Sequence, residues 1–172
     1  MKTAQLKIAA LGLATLIALP LCASAAQGGT LVAPFTGTAG STPTATSPIS
    51  GTFNITSFSN NGGQLVANGT LNFVLNGVQQ VVQTSAPVTD PSGSCPILNL
   101  TVGPINLNLL GLVIQTNLIH LTITAQSGPG NLLGNLLCDV ANLLNGTGGL
   151  AGLGNGQLNQ IVTLLNQILG QL

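Results

Sequence analysis

Charge is nearly absent from this 172-residue chain. Lys2 and Lys7 are its cationic side chains, Asp90 and Asp139 its acids, and His120 its one histidine. Both lysines lie within the first seven positions, so residues 8–172 carry no Lys or Arg. A chain without cations there cannot neutralise phosphates, the main source of nucleic-acid affinity, nor hold anionic lipid with a polybasic patch. Nucleic acid is therefore excluded as a partner. Tryptophan and tyrosine are missing and phenylalanine occurs 4 times, which removes the aromatic girdles of an outer-membrane barrel. One histidine and two aspartates fall short of the ligand count of a zinc or calcium site. The apolar stretch 96–125 is broken by Asn99, Pro104, Asn106, Asn108 and Asn117, so no transmembrane segment is expected there. Disorder is excluded on the opposite ground, because the chain is rich in Leu, Ile and Val.

The N-terminus has the three parts of a secretory signal: basic Lys2 and Lys7, the apolar run Ile8–Leu19, and the small-x-small site Ala23-Ser24-Ala25. Cleavage is expected before Ala26, making residues 1–25 a signal peptide. The competing reading takes Leu19-Pro20-Leu21-Cys22 as a lipoprotein box with an acylated Cys22. Leu21 stands where that box wants a small residue, and this favours simple cleavage. The mature side chains then sum to −2, from Asp90 and Asp139. Of the 3 cysteines, Cys22 leaves with the signal. Cys95 and Cys138 remain, and an even pair in an exported protein reads as a disulfide. Two distant thiols without a Cys-x-x-Cys pattern argue against a redox or metal pair.

Residues 26–50 hold Gly, Thr, Ser, Pro and Ala with few large apolar side chains. They are expected to form a flexible leader, with an edge strand at Thr30–Phe35 as an alternative. One β-rich domain, 51–172, should follow. Phe53 and Ile55 alternate with Asn54 and Thr56 at strand period. Asn61-Gly62-Gly63 marks a reversal, and residues 65–75 alternate again. Asn76-Gly77 is a strong hairpin signal, with the return strand at 78–84. Pro87, Pro91, Gly93 and Pro96 suggest a loop over 85–96. Short alternating strands are expected at 98–102, 105–109, 112–115 and 118–124. After Gly128-Pro129-Gly130 the period changes to that of a helix, with Leu132, Leu133, Leu136, Leu137, Val140, Leu143 and Leu144, Asn131 as its cap and Asn145-Gly146 as its stop. A Gly-rich link leads to a second helix striped by Leu158, Ile161, Leu165, Ile168 and Leu172. The expected class is α+β: an antiparallel β-sandwich or meander packed by two C-terminal amphipathic helices, with one disulfide fixing the first helix to the segment before Leu98.

The segments Gly103-Pro104-Ile105-Asn106-Leu107-Asn108-Leu109-Leu110-Gly111-Leu112 and Gly128-Pro129-Gly130-Asn131-Leu132-Leu133-Gly134-Asn135-Leu136-Leu137-Cys138 resemble a family of small secreted bacterial proteins. Gly63-Gln64-Leu65-Val66-Ala67 and Leu164-Leu165-Asn166-Gln167-Ile168-Leu169 fit the same pattern. The resemblance implies export. No established activity attaches to that family, so it adds no catalytic residue.

Acid–base catalysis needs groups that exchange protons near neutral pH, and the supply is His120, Asp90 and Asp139. His120 falls on the polar side of a strand, Asp90 beside Pro91 in an expected turn, and Asp139 on a helix surface. No Gly-x-Ser-x-Gly elbow accompanies them. We therefore expect no catalytic, cofactor-binding or metal-binding residues and no enzyme. The expected role is a secreted, non-enzymatic structural or interaction protein of the bacterial envelope or extracellular matrix. Its net charge is close to zero, which favours association, and its strands lack charged gatekeepers. The alternative is a secreted carrier holding a small apolar ligand between helices and sheet, motivated by the density of Leu and Ile.

Overall fold

The computed structural model describes residues 29–42, 45–95, 97–109, 111–146 and 148–172. The signal segment, its cleavage site and Cys22 lie outside the described residues. Eight strands come first: β1 (Leu31–Thr42), β2 (Ala45–Asn61), β3 (Gln64–Leu75), β4 (Val78–Ser94), β5 (Ile97–Val102), β6 (Asn106–Leu109), β7 (Leu112–Thr116) and β8 (Ile119–Thr124). Helix α1 (Leu132–Gly146), a short 3-10 turn (Leu150–Gly152) and helix α2 (Asn155–Leu169) follow. The strands are ordered β6-β7-β1-β2-β3-β4-β5-β8, and every pairing is antiparallel. The α+β layout read from the sequence is the one observed.

Turn chemistry sets the register. Asn76 and Gly77 both take positive φ, 52° and 78°, as a two-residue primed hairpin requires. They hold Leu75 opposite Val78, and the β3–β4 ladder then runs without a shift to Val66–Pro87. Gly62 and Gly63 turn β2 into β3 in the same way, with φ of 62° and 91°.

The expected flexible leader is corrected over 31–42 and 45–50. These residues supply β1 and the start of β2; the strand expected at Thr30–Phe35 is present from Leu31, but β1 lies inside the sheet between β7 and β2 and not at an edge. Leu31, Ala33, Phe35 and Ala39 are buried while Val32, Pro34, Thr36 and Thr38 alternate with them. Small residues are what this strand needs. Phe35, Gly51 and Phe73 stand in one row across β1, β2 and β3. The two rings meet edge-on over the glycine at a centroid distance of 6.4 Å. A Cβ on Gly51 would collide with the carbonyl oxygen of Asn72, so the missing side chain lets β2 and β3 approach closely there.

A second correction concerns 85–96. Val88–Ser94, expected as loop, is the far half of β4 and pairs with β5, after a register shift between Val88 and Asp90. β4 thus switches neighbours: residues 78–87 pair with β3 and 88–94 with β5. Among the described residues each half has a strand on one flank only, and proline is tolerated where its nitrogen faces an unpaired flank. This accommodates Pro87 and Pro91 within a strand.

Helix α1 packs on β4 and β5, and α2 on β2 and on α1. Leu136, Leu137, Val140 and Leu144 from α1, with Leu158, Ile161, Leu165, Ile168 and Leu169 from α2, join the strand interior in one apolar cluster. Leu172 lies beyond the helix end and is exposed, unlike the rest of its expected stripe. The Cys95–Cys138 disulfide is formed, with Cα atoms 4.5 Å apart. It ties the β4–β5 connection to the middle of α1, closing a loop worth roughly 4 kcal/mol in the chain-entropy model. Asn145 Nδ2 donates to the carbonyl of Gly93 at 3.1 Å nearby. No helix among the described residues is long and apolar enough to cross a membrane.

Candidate functional site

Among the described residues the three titratable side chains, Asp90, His120 and Asp139, do not converge. Asp90 sits in β4 beside the register shift, not in a turn, and stands opposite Thr101 of β5. Thr101 in turn stands opposite His120 of β8. Cross-strand partners share a face, so Asp90, Thr101 and His120 form one row on the outer side of the sheet. Thr101 Oγ1 and His120 Nδ1 are 3.3 Å apart. Two strand spacings, about 10 Å, separate Asp90 from His120, so the carboxylate cannot orient the imidazole as a triad requires. Asp90 and His120 are exposed. Asp139 lies elsewhere, in a surface depression between α1 and α2 shared with Asn142, Leu143, Gln160 and Leu164. The next row, Ser92–Asn99–Thr122, is also polar, and Thr122 donates to Asn99 Oδ1 at 2.9 Å.

The wider outer surface continues this chemistry. Across β1–β4 the registers align Val32, Asn54, Thr70 and Gln83 in one row and Pro34, Thr52, Asn72 and Val81 in the next. No ionised group interrupts these rows, and every polar group in them is an amide or a hydroxyl. A hollow of about 390 Å³ lies beside Gly69, lined by Thr56, Asn68, Thr70, Gln83, Thr84 and Ser85. Asn68 Nδ2 donates to Ser59 Oγ at 3.1 Å at its margin. Asn54 Oδ1, one residue row away, is a buried side-chain oxygen without a hydrogen-bond partner among the described residues.

Two asparagines have roles that the sequence reading missed. Asn166 of α2 accepts the Phe58 N–H at 2.8 Å and donates to the Phe58 carbonyl at 2.9 Å. The β1 ladder ends at Leu31–Ile55, so beyond it no strand among the described residues lies on that flank of β2. The Asn166 amide takes the place of a peptide group there. Asn135 of α1 does the same for Gly128, at 3.0 Å in both directions. Asn60 Nδ2 adds a bond to Asn159 Oδ1 at 2.8 Å. The available signal was asparagine at helix positions where its propensity is poor.

No protein-family model, curated protein or solved structure matches the chain.

Proposed function

We propose that this protein is exported and acts outside the cytoplasm as a non-enzymatic structural or interaction component of the bacterial envelope or extracellular matrix. The observation that carries this reading is the uncharged outer face of β1–β4, where amides and hydroxyls stand among the exposed valines Val32, Val74 and Val81. Such a surface offers hydrogen bonds in both directions to any extended backbone or neighbouring amide, and sets no charge repulsion against a second uncharged copy. The disulfide supports a place in an oxidising compartment, and the N-terminal pattern supplies a route to it.

Fractionation of producing cells with N-terminal sequencing tests the proposal. The expected result is a chain in the medium or envelope fraction that begins at Ala26, within about one residue. An intact chain retained in the cytoplasm would overturn it, and an acylated Cys22 would replace it with a membrane-anchored protein.

A further inference from the structure

The first half of β4 is a strand with one neighbour. Residues Val78–Pro87 pair with β3, and β5 begins its pairing only at Val88. At the junction, the Gly103 N–H donates to the Pro87 carbonyl at 2.7 Å. From Val78 to Ala86 the opposite flank of β4 carries no backbone or side-chain hydrogen bond among the described residues.

Alternation identifies the groups on that flank. Leu75 and Val78 close a two-residue hairpin and form a mutually hydrogen-bonded pair. The alternation of an antiparallel ladder then turns the N–H and C=O of Gln80, Val82 and Thr84 toward β3. Those of Gln79, Val81, Gln83 and Ser85 point away, to the open flank. The segment reads Val78-Gln79-Gln80-Val81-Val82-Gln83-Thr84-Ser85, without charge, proline or glycine. That composition belongs to strands that pair edge to edge. Val81 is 62% exposed and Val78 59%. Val74 of β3 lies diagonal to Val81 on the same face and is 56% exposed.

The other strand flanks have protection that this one lacks. β6 is only 4 residues long, the flank of β2 beyond the reach of β3 contains Pro48, and β8 lies beside β1. Natural sheets guard long edges with charge, proline or bulges. Here β4 has none of them from Val78 to Ser85, and its register against β3 shows no bulge.

We propose that the open flank of β4 is a pairing edge for a second copy of this chain, the two β4 strands adding antiparallel about a two-fold axis at Val82. The proposal rests on the reading that the protein works by association, and names the surface. A centre at Val82 engages all four outward-pointing residues of each copy: Val81 faces Gln83 of the second copy and Gln79 faces Ser85. About eight backbone hydrogen bonds form. The isologous arrangement closes on itself as a dimer. No charge on either strand opposes it. Strand addition alone covers a small area, so the dimer is reversible.

Sedimentation velocity on the purified protein, from about 1 to 200 µM, tests the edge. This range brackets the micromolar affinities of weak interfaces. Wild type should shift from monomer to dimer across it. Val81→Lys places an edge charge and should weaken dimerisation at least about tenfold. Val81→Pro removes an outward N–H while sparing the β3 ladder and should act alike, so a fold defect in one variant leaves the other informative. Val32→Lys adds the same charge on β1, a strand paired with β2, and should leave dimerisation unchanged. Dimerisation of wild type that Val81→Lys and Val81→Pro leave intact would overturn the edge and spare the association reading. Equal loss in Val32→Lys would also overturn it, in favour of a general effect of charge. A wild type monomeric throughout would overturn self-pairing and give the edge to an extended segment of another protein. Cytoplasmic retention in the fractionation experiment would defeat the export reading while leaving this result untouched.

Discussion

Replacing Asn166 by alanine should destabilise the domain more than any other single substitution on the polar face of α2. The substitution deletes both bonds to Phe58, at 2.8 and 2.9 Å, where the β1 ladder has already ended and no strand can take over. Each part-buried hydrogen bond contributes roughly 1 to 1.5 kcal/mol, and a peptide group left without a partner costs at least as much. Alanine is the better helix former by up to about 0.7 kcal/mol, which offsets part of the loss. The net is about 2 kcal/mol, or a fall in Tm of roughly 4 to 8 °C for a domain of this size. Gln167→Ala is the matched control: Gln167 is the exposed neighbour on the same helix, and its replacement should be neutral or slightly stabilising. Urea and thermal unfolding followed by circular dichroism measure both. Equal stability of the two variants would refute the claim that Asn166 substitutes for a strand. Asn166→Asp sharpens the test by sign. Its carboxylate can accept the Phe58 N–H but repels the Phe58 carbonyl, which raises its pKa in the folded state. Stability should therefore be greatest in acid, where the protonated group can still donate, and fall as pH rises through the raised pKa.

Reduction of Cys95–Cys138 should lower Tm more than acidification from about pH 7 to pH 4 or moderate salt. The loop constraint is worth roughly 4 kcal/mol, whereas Asp90 and Asp139 are exposed and the described residues hold no Lys or Arg to pair with them; calorimetry compares the three perturbations. Gly134→Ala should be destabilising by about 2 kcal/mol or more despite the higher helix propensity of alanine, because its Cβ would collide with the Gln126 carbonyl oxygen; chemical denaturation measures it. His120→Ala should leave self-association, measured by sedimentation, and Tm close to wild type, since His120 is exposed and the side chain that meets its ring is the Thr101 hydroxyl at 3.3 Å. A loss of association in that variant would place the Asp90–Thr101–His120 row in an interface.

Strong local signals carried much of the fold. Asn76-Gly77 and Asn61-Gly62-Gly63 fix turns whose backbone angles few other residues adopt, and the leucine spacing after Gly130 changes period as a helix does. The two helices are legible for that reason, and the disulfide because Cys95 and Cys138 form an even pair in a chain with an export signal. What remained hidden depended on neighbours. β1 reads as a leader because Ala, Gly and Thr dominate it, yet those small residues suit a strand packed between β7 and β2. The far half of β4 reads as a loop because proline is usually excluded from ladders. Only the switch of partner from β3 to β5 frees a flank for Pro87 and Pro91, and no window along the chain reports that switch. The alignment of Asp90, Thr101 and His120 is equally non-local, since it joins three strands whose register is set by a shift at Val88–Asp90. The amide clamps of Asn135 and Asn166 are obscured because a polar helix face looks the same whether it meets water, the connection at Gly128 or the bare flank of β2 at Phe58.

Native mass spectrometry of the protein recovered from outside the cell, sprayed at two concentrations about twentyfold apart, separates an exported self-associating protein from a carrier. The expected spectrum shows the mass of residues 26–172 with one disulfide, a dimer fraction that grows with concentration in line with a reversible interface, and no stoichiometric small molecule. A monomer at both concentrations that carries one apolar ligand per chain would contradict it and identify a carrier.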